Sequence, residues 1–428
     1  MDCSRTTNLI IGGFTAILLL LPSQGFSSNA YFLDLVDARA NGMVESTVAQ
    51  ADNPSAVYFN PAGIVQLPGN QLSTGLTFVY IPSADFTSNG TSVFGKAGQE
   101  TDTKTLQSYI PSFFVTHKIN DALSVGFGSF TNFGLSTRWP NDWEGRYISG
   151  GTYSEIKTLA LNPVVAYRPN QKISFSGGIV LQNAEIKSQN KFLMGAGVPD
   201  ASVKIDAKDD LGLGYNLGVL TWLSDNVKLG LSYRSAIRQK LEGDFKLYGT
   251  PGGAYNAKDD VSTTVTLPAR VYSGLSYTQG PLTVEGDILL TQWSSIDESI
   301  VKFGKLPTSR AMKDYHDALS YRIGADYSIT KDIDIRGGVE YAGNPIPLGS
   351  EEPAVPTNNR WRIGTGGGYK FGDWAVDLSY NYIFWLNKKA FNNSVGDYNA
   401  SISPGLGKVT GDFDLAAHVL VTTISYKF

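Results

Sequence analysis

The sequence predicts an all-β chain, a fourteen-stranded antiparallel transmembrane β-barrel plugged by an N-terminal hatch. Three observations predict it. Apolar and polar residues alternate with period two through most of the chain after Asn70, the connections between the alternating segments are short and long by turns, and a knot of turn residues precedes the first segment. Composition agrees: only 17% of the 428 residues are charged, 12% are aromatic and 46 are glycine. Such a balance suits strands with one face in lipid and many tight turns. The net charge of -4 and the lack of any lysine or arginine run exclude nucleic acid as a partner.

Residues 1–30 read as a secretory signal, with Arg5 in a short polar start and an apolar run from Leu9 to Leu21 that is too short to span a membrane as a helix. Small residues offer cleavage after Gly25 or after Ala30. The single cysteine, Cys3, lies ahead of the apolar run, so the processed chain would contain no thiol, no disulfide and no cysteine-ligated metal. Residues 31–69 form the hatch. Within it Asn53-Pro54 and Asn60-Pro61-Ala62-Gly63 crowd turn formers around Val57, Tyr58 and Phe59, which forbids a long helix or a central strand. Those apolar residues need a place to be buried, and the interior of the barrel supplies it.

The barrel occupies residues 70–428. Val227, Leu229, Leu231 and Tyr233 alternate with Lys228, Gly230, Ser232 and Arg234, and Leu319 to Ser328 repeats the pattern. Strands are expected to start near Asn70, Ser108, Leu123, Glu155, Ile173, Val203, Val227, Asp259, Leu282, Asp317, Ile333, Asn359, Trp374 and Phe413. Short turns such as Asn120-Asp121, Asp225-Asn226, Lys331-Asp332 and Gly372-Asp373 alternate with long loops over 88–107, 137–154, 190–202, 248–258, 294–316, 342–358 and 387–412. Outer-membrane barrels of Gram-negative-type bacteria have tight periplasmic turns and long external loops, a segregation that a soluble sandwich does not need. The last strand places Leu420, Thr422, Ile424, Tyr426 and Phe428 on one face and ends on an aromatic residue, as expected of a substrate for the barrel-assembly machinery.

Asn60-Pro61-Ala62, Asn132-Phe133-Gly134-Leu135, Tyr233-Arg234-Ser235, Leu267-Pro268, Thr291-Gln292-Trp293-Ser294, Tyr321-Arg322, Pro345-Ile346-Pro347 and Arg360-Trp361 occur in an order and at spacings that are hard to obtain by chance. Through them the chain resembles the FadL/TodX family of outer-membrane transporters for long-chain fatty acids and other hydrophobic compounds, over nearly its whole length. The resemblance implies a fourteen-stranded barrel with an N-terminal hatch, the count already reached from the segments. It implies capture of a hydrophobic small molecule between external loops, passage to a pocket against the hatch, and sideways release into outer-membrane lipid, beside lipopolysaccharide. No cofactor or metal is implied.

Site residues follow from that resemblance. Tyr31, Phe32 and Leu33 fall at the hatch pocket, and Asn60, Pro61 and Ala62 form the hatch motif. The external groove would use Phe192, Leu193, Met194 and Val198 of one loop and Leu247, Tyr248 and Tyr255 of the next, unless these residues pack only within their own loops. Asn132, Phe133 and Gly134 are the candidate kink of the third strand, because glycine weakens a strand interior and marks bulges. For the head group of a fatty acid the candidates are His316, standing where the family leads one to expect a lysine, Arg322 and Arg360. Against this, lumen-facing arginines commonly pair with acids, here Glu285, Asp287, Asp326 and Glu340. The rival readings are a general diffusion porin, a structural outer-membrane protein, and an outer-membrane phospholipase. The last has little support, since His117, His316 and His418 lie on separate segments with no serine elbow or metal-spaced cluster.

Overall fold

The computed structural model describes residues 32–347, 350–386, 393–394 and 407–428. The signal segment and Tyr31 lie outside the described residues, as does most of the loop expected at 387–412.

Fourteen strands, several interrupted, close into one antiparallel ring. They are β1 (Asn70–Ile81, then Ala84–Ser88), β2 (Glu100–Asp102, then Leu106–Lys118), β3 (Leu123–Phe130, then Gly134–Arg138), β4 (Tyr153–Asn170), β5 (Ile173–Phe192), β6 (Ala201–Trp222) and β7 (Val227–Arg234, then Ile237–Tyr248). The second half is β8 (Ala257–Leu267, then Arg270–Gln279), β9 (Leu282–Thr291, then Glu298–Phe303), β10 (Ser309–Met312, then Ala318–Ser328), β11 (Ile333–Ala342), β12 (Arg360–Phe371), β13 (Trp374–Trp385) and β14 (Gly411–Lys427). Each pairs with its neighbour in sequence, and β14 returns to β1 in a register running from Gln71↔Lys427 to Tyr80↔His418. Asn70 N–H donates to the Phe428 carbonyl at 3.2 Å, and Phe428 N–H donates to the Asn70 carbonyl at 3.0 Å, sealing the seam at the turn end. Closure at the turn end leaves no first or last strand with a free edge.

The lipid face carries exposed Leu161, Val165, Leu213, Leu217, Ile335 and Ile363, while the residues alternating with them, such as Asn162, Asn216, Arg336 and Arg362, are buried inside. Aromatic residues gather at both ends of this belt. Trp374, Tyr426 and Phe428 stack in series near the turns, with ring centroids 4.5 and 5.8 Å apart, and Tyr80, Tyr382 and His418 cluster near the loops. Two girdles of this kind mark the two interfaces of a bilayer.

Several expected loops are partly strand. The stretch 294–316 contains Glu298–Phe303 and Ser309–Met312, and the loop expected at 190–202 shrinks as β5 and β6 run on. These extensions rise past the lipid belt, where neither face meets lipid and alternation fades. Their inner face instead packs Leu241, Phe245 and Val261 together.

Residues 32–67 lie inside the ring and touch its wall on several sides. They form two short helices, α1 (Ala38–Gly42) and α2 (Ala56–Phe59), and a 3-10 turn, Pro61–Gln66. Asn60 caps that turn, its Oδ1 accepting from Ala62 N–H, while Pro61 fills the first helical position, where its missing donor costs nothing. The Asn60 amide also donates to the carbonyls of Val48 and, on β6, Val219. Ser174 Oγ on β5 donates to the Ala62 carbonyl at 2.8 Å. A Cβ on Gly63 would overlap the Ala51 carbonyl, so only glycine fits there. The Asn-Pro-Ala-Gly run is thus a fold-and-dock element for the segment.

Candidate functional site

The segment 32–67 is held by charge as well as by packing. Glu285 and Asp287, adjacent inward positions of β9, accept four successive backbone N–H groups: Thr47 and Val48 donate to Asp287, and Ala49 and Gln50 donate to Glu285 at 2.6 and 2.8 Å. These two acids bind backbone instead of the arginines expected to pair with them. The arginines find other partners. Arg322 pairs with Asp34 and with Glu340 at 2.9 Å, Arg362 with Glu340 at 2.7 Å, and Arg336 with Asp326 at 3.0 Å and Asp377 at 2.5 Å. Burial acts to raise the Asp34 carboxyl, but the Arg322 guanidinium and then Arg362 outweigh it and hold Asp34 below the usual carboxylate range.

Above this layer lies a cavity of about 960 Å3, within the common span of small-molecule sites, roughly 300–1,000 Å3. Phe32, Leu33 and Leu35 line it from the N-terminal segment, and Ile383, Ala417 and Val419 line it from β13 and β14. Arg360 and Arg362 also reach it. Arg362 is fully buried and committed to Glu340. Arg360 is different: among the described residues no carboxylate lies within 4.0 Å of it and its Nε lacks an acceptor, while the Trp385 ring lies 5.8 Å from the guanidinium carbon.

The wall beside the cavity is incomplete. In β2, Phe113–Lys118 pair with β3, whereas Leu106 to Ser112 pair only on their other side, with β1. The upper half of β3, Gly134–Arg138, pairs only with β4. Between Phe130↔Ala160 and Gly134↔Lys157 the third strand carries one residue more than β4, a bulge that turns it inward. Pro111, which lacks an N–H, sits on the edge so exposed. Lys104 N–H donates to the Arg138 carbonyl at 2.8 Å and bounds the gap above. The cavity runs through the gap to Leu159, which is 42% exposed on the lipid face.

The backbone groups freed by the bulge are met from within. Leu33 N–H donates to the Asn132 carbonyl at 2.9 Å, Phe133 N–H donates to Thr158 Oγ1 at 3.0 Å, and Phe32 bridges Phe133 as a one-residue strand. Irregular backbone at membrane depth needs such protein partners. The structure therefore brings together Phe32, Leu33, Asn132, Phe133 and Gly134. Glycine at 134 is what lets Leu33 close in: a Cβ there would lie 2.9 Å from the tip of its side chain.

The other candidates are dispersed. His316 is exposed, is not among the cavity residues, and its backbone N–H donates to the Pro345 carbonyl. Arg322 is spent on Asp34 and Glu340. None of the seven groove residues lines the cavity. Phe192 ends β5 opposite Ala201, Leu193 packs with the cluster of Trp139, Trp143 and Phe86, and Leu247 packs with the separate cluster of Phe245 and Val261. Leu247 and Tyr248 border a small recess of about 290 Å3. Met194 is half-buried, and Val198 and Tyr255 are exposed. Sequence reasoning missed the apolar inward face of β14, Leu415, Ala417, Val419 and Val421. Its signal was present, since a strand apolar on both faces is out of place around a polar lumen.

Residues 19–428 match the family model described as outer membrane protein transport protein (OMPP1/FadL/TodX). Among curated relatives, a long-chain fatty acid transport protein of Escherichia coli O6:H1 is 24% identical over 418 residues, covering 89% of this chain and 92% of the relative. Outer membrane protein P1 of Haemophilus influenzae is 25% identical over 417 residues, covering 86% and 88%. Among solved structures, a Pseudomonas aeruginosa FadL homologue superposes with a TM-score of 0.81 at 19% identity, covering 93% of this chain and all of that one (100%). The Pseudomonas putida toluene transporter TodX superposes at 0.71 with 19% identity, covering 93% and 100%.

Proposed function

The chain belongs to the OMPP1/FadL/TodX family of outer-membrane transport proteins, and from that premise we propose that its cargo is an amphipathic hydrophobe of the long-chain fatty acid class. It is a transporter of the outer membrane, not an enzyme. The observation that carries the choice of cargo is Arg360, a half-buried guanidinium with no carboxylate within 4.0 Å among the described residues, on the stretch of cavity wall it shares with Leu33, Leu35, Ile383 and Val419. Burying a cation beside greasy walls is costly unless an anion joins it. A fatty acid supplies both halves, its carboxylate for Arg360 and its chain for Leu35, Ile383 and Val419. The curated relatives named as long-chain fatty acid transport proteins support the same reading.

In this reading the ligand reaches the cavity from the external loops and leaves through the gap between β2 and β3, because each CH2 exposed to water would cost about 0.8 kcal/mol and a greasy route avoids that. The gap, the bulge at Asn132-Phe133-Gly134 and the lipid-exposed Leu159 give such a route. Phe32 and Leu33 form the gate, and the segment around Asn60-Pro61-Ala62 acts as the hatch. A general diffusion porin is disfavoured by Val57, Tyr58 and Phe59, each at most 1% exposed within the lumen. The girdles would meet lipid and lipopolysaccharide, and Phe428 would address the assembly machinery.

The test compares palmitate with hexadecanol, a chain of equal length without the charge, in binding to the purified protein. The parent should bind palmitate more tightly, and Arg360→Gln should erase the difference, a loss of about tenfold for palmitate alone. A parent that binds the two equally would refute the fatty-acid reading and favour an uncharged hydrocarbon.

A further inference from the structure

Two more arginines are buried without a carboxylate. Arg270, at the foot of the bent half of β8, is 3% exposed and Arg234, on β7, is 2% exposed. Neither has an acid within 4.0 Å among the described residues, whereas Arg39, Arg322, Arg336 and Arg362 all do. Arg234 is occupied by the chain itself: its Nε and Nη2 donate to the Tyr58 carbonyl, and Nη2 also to the Val57 carbonyl. Arg270 is not. Its Nη1 donates to Tyr58 Oη at 3.0 Å and to Tyr272 Oη at 3.4 Å, its Nη2 donates to Asn132 Oδ1 at 3.1 Å, and its Nε has no acceptor among the described residues. Three rings surround the guanidinium, with centroids at 4.5 Å for Phe32, 5.3 Å for Phe133 and 5.9 Å for Tyr58.

This setting is unusual for a structural cation. Aromatic faces and neutral oxygens hold a guanidinium more weakly than a carboxylate does, and the fold places acids beside Arg39, Arg322, Arg336 and Arg362. Two of the groups that cover Arg270 also belong to the cavity and the wall. Phe32 lines the cavity, and Asn132 is the residue of the bulge whose carbonyl Leu33 holds.

We propose that Arg270 is a second anion site, reached when Phe32 swings aside, and that a carboxylate bound there replaces Asn132 Oδ1 on the guanidinium. Resting on the fatty-acid reading above, this couples the arrival of the head group to release of the bulge. Arg360 would bind the acid group at the border of the cavity, and Arg270 would draw it down against the hatch while Asn132 and Leu33 let go of each other. The hydrocarbon tail then lies next to the gap between Ile110 and Gly134. An uncharged chain of the same length has nothing to exchange for Asn132 and gains no such opening.

The experiment uses the full-length protein in liposomes, with palmitate and hexadecanol as probes and both binding and uptake measured. Arg270→Gln should slow palmitate uptake at saturation by about tenfold, leave hexadecanol uptake at the parental rate, and keep the binding difference that Arg360 creates. Arg270→Lys, which keeps the charge, should recover part of the palmitate rate. Should Arg270→Gln fail to give a heat-modifiable barrel, Phe32→Ala serves, and it should tighten palmitate binding without tightening hexadecanol binding. Equal losses for acid and alcohol would make Arg270 a structural pillar and overturn the proposal, as would parental palmitate uptake in Arg270→Gln. Loss of acid selectivity in Arg360→Gln with none in Arg270→Gln sinks the second site alone, whereas a parent without acid selectivity sinks the fatty-acid reading beneath it.

Discussion

Replacing Glu285 by alanine should undock the N-terminal segment while leaving the barrel closed. The carboxylate receives Ala49 N–H at 2.6 Å and Gln50 N–H at 2.8 Å, and it is fully buried. Hydrogen bonds to a charged acceptor contribute roughly 1.5–3 kcal/mol each, so removing two costs about 3–6 kcal/mol of docking. Asp287, two positions along the same face, keeps its own bonds to Thr47 and Val48 N–H, so part of the docking survives. A net cost of about 3 kcal/mol raises the undocked population on the order of a hundredfold. The assay is amide hydrogen exchange of the peptide containing residues 47–50, with electrophoretic heat-modifiability as the check on the barrel. Faster exchange confined to the 32–67 region is expected, since the ladder between β9 and its neighbours does not pass through the Glu285 side chain. Unchanged exchange at 47–50, or loss of the barrel together with the segment, would show that these carboxylates do not act as the clamp described.

Two further outcomes follow from the gate and the hatch. Gly134→Val puts a side chain against the tip of Leu33 and favours regular strand geometry, so it should cost about 1 kcal/mol of stability and lower uptake while leaving equilibrium binding of palmitate intact; parental uptake would count against exit between β2 and β3. Removing residues 31–66 should leave a heat-modifiable barrel with large, steady conductance and no selective uptake, because the seam between Asn70 and Phe428 lies outside the deleted residues; a chain that no longer folds would mean that the segment is part of the wall.

The architecture was legible where membrane and turn chemistry leave few options. Leu123, Ile173, Val227, Leu282, Ile333 and Trp374 begin strands at the expected positions, each directly after a tight turn that fixes register. After the long loops starts moved, by two residues from Glu155 to Tyr153 and from Val203 to Ala201, and further in β2 and β10, which begin with separate pieces at Glu100 and Ser309, because no tight turn and no lipid boundary pins a strand that continues into water. The site was harder to read. Arg322, Arg360 and Arg362 look alike in sequence, and what separates them is the position of Asp34 and Glu340, residues distant along the chain. The third strand carries its extra residue between Phe130 and Gly134, beside the glycine singled out as a bulge former, and Asn132 and Phe133 are both buried there. The external groove was not assembled as expected, since loop packing depends on which loops meet above the rim. There Trp139 Nε1 donates to the Pro353 carbonyl, a contact between loops of β3 and β11 that no local pattern encodes.

The seam between β1 and β14 sets a schedule. The first strand to be synthesised waits for the last, and a ladder of such sequence separation forms slowly because loop closure precedes any gain. Residues 32–67 are made before any strand, yet their partners span β1 to β14, from Thr77 to Thr423, so they have to be gathered in before the ring shuts or be threaded through it afterwards. Threading would drag Asp34, Asp37 and Arg39 through a lumen already filled with fixed charges. Gathering first is the easier course: the segment is carried within the curling sheet and the ring closes around it, the Asn70–Phe428 pair coming last.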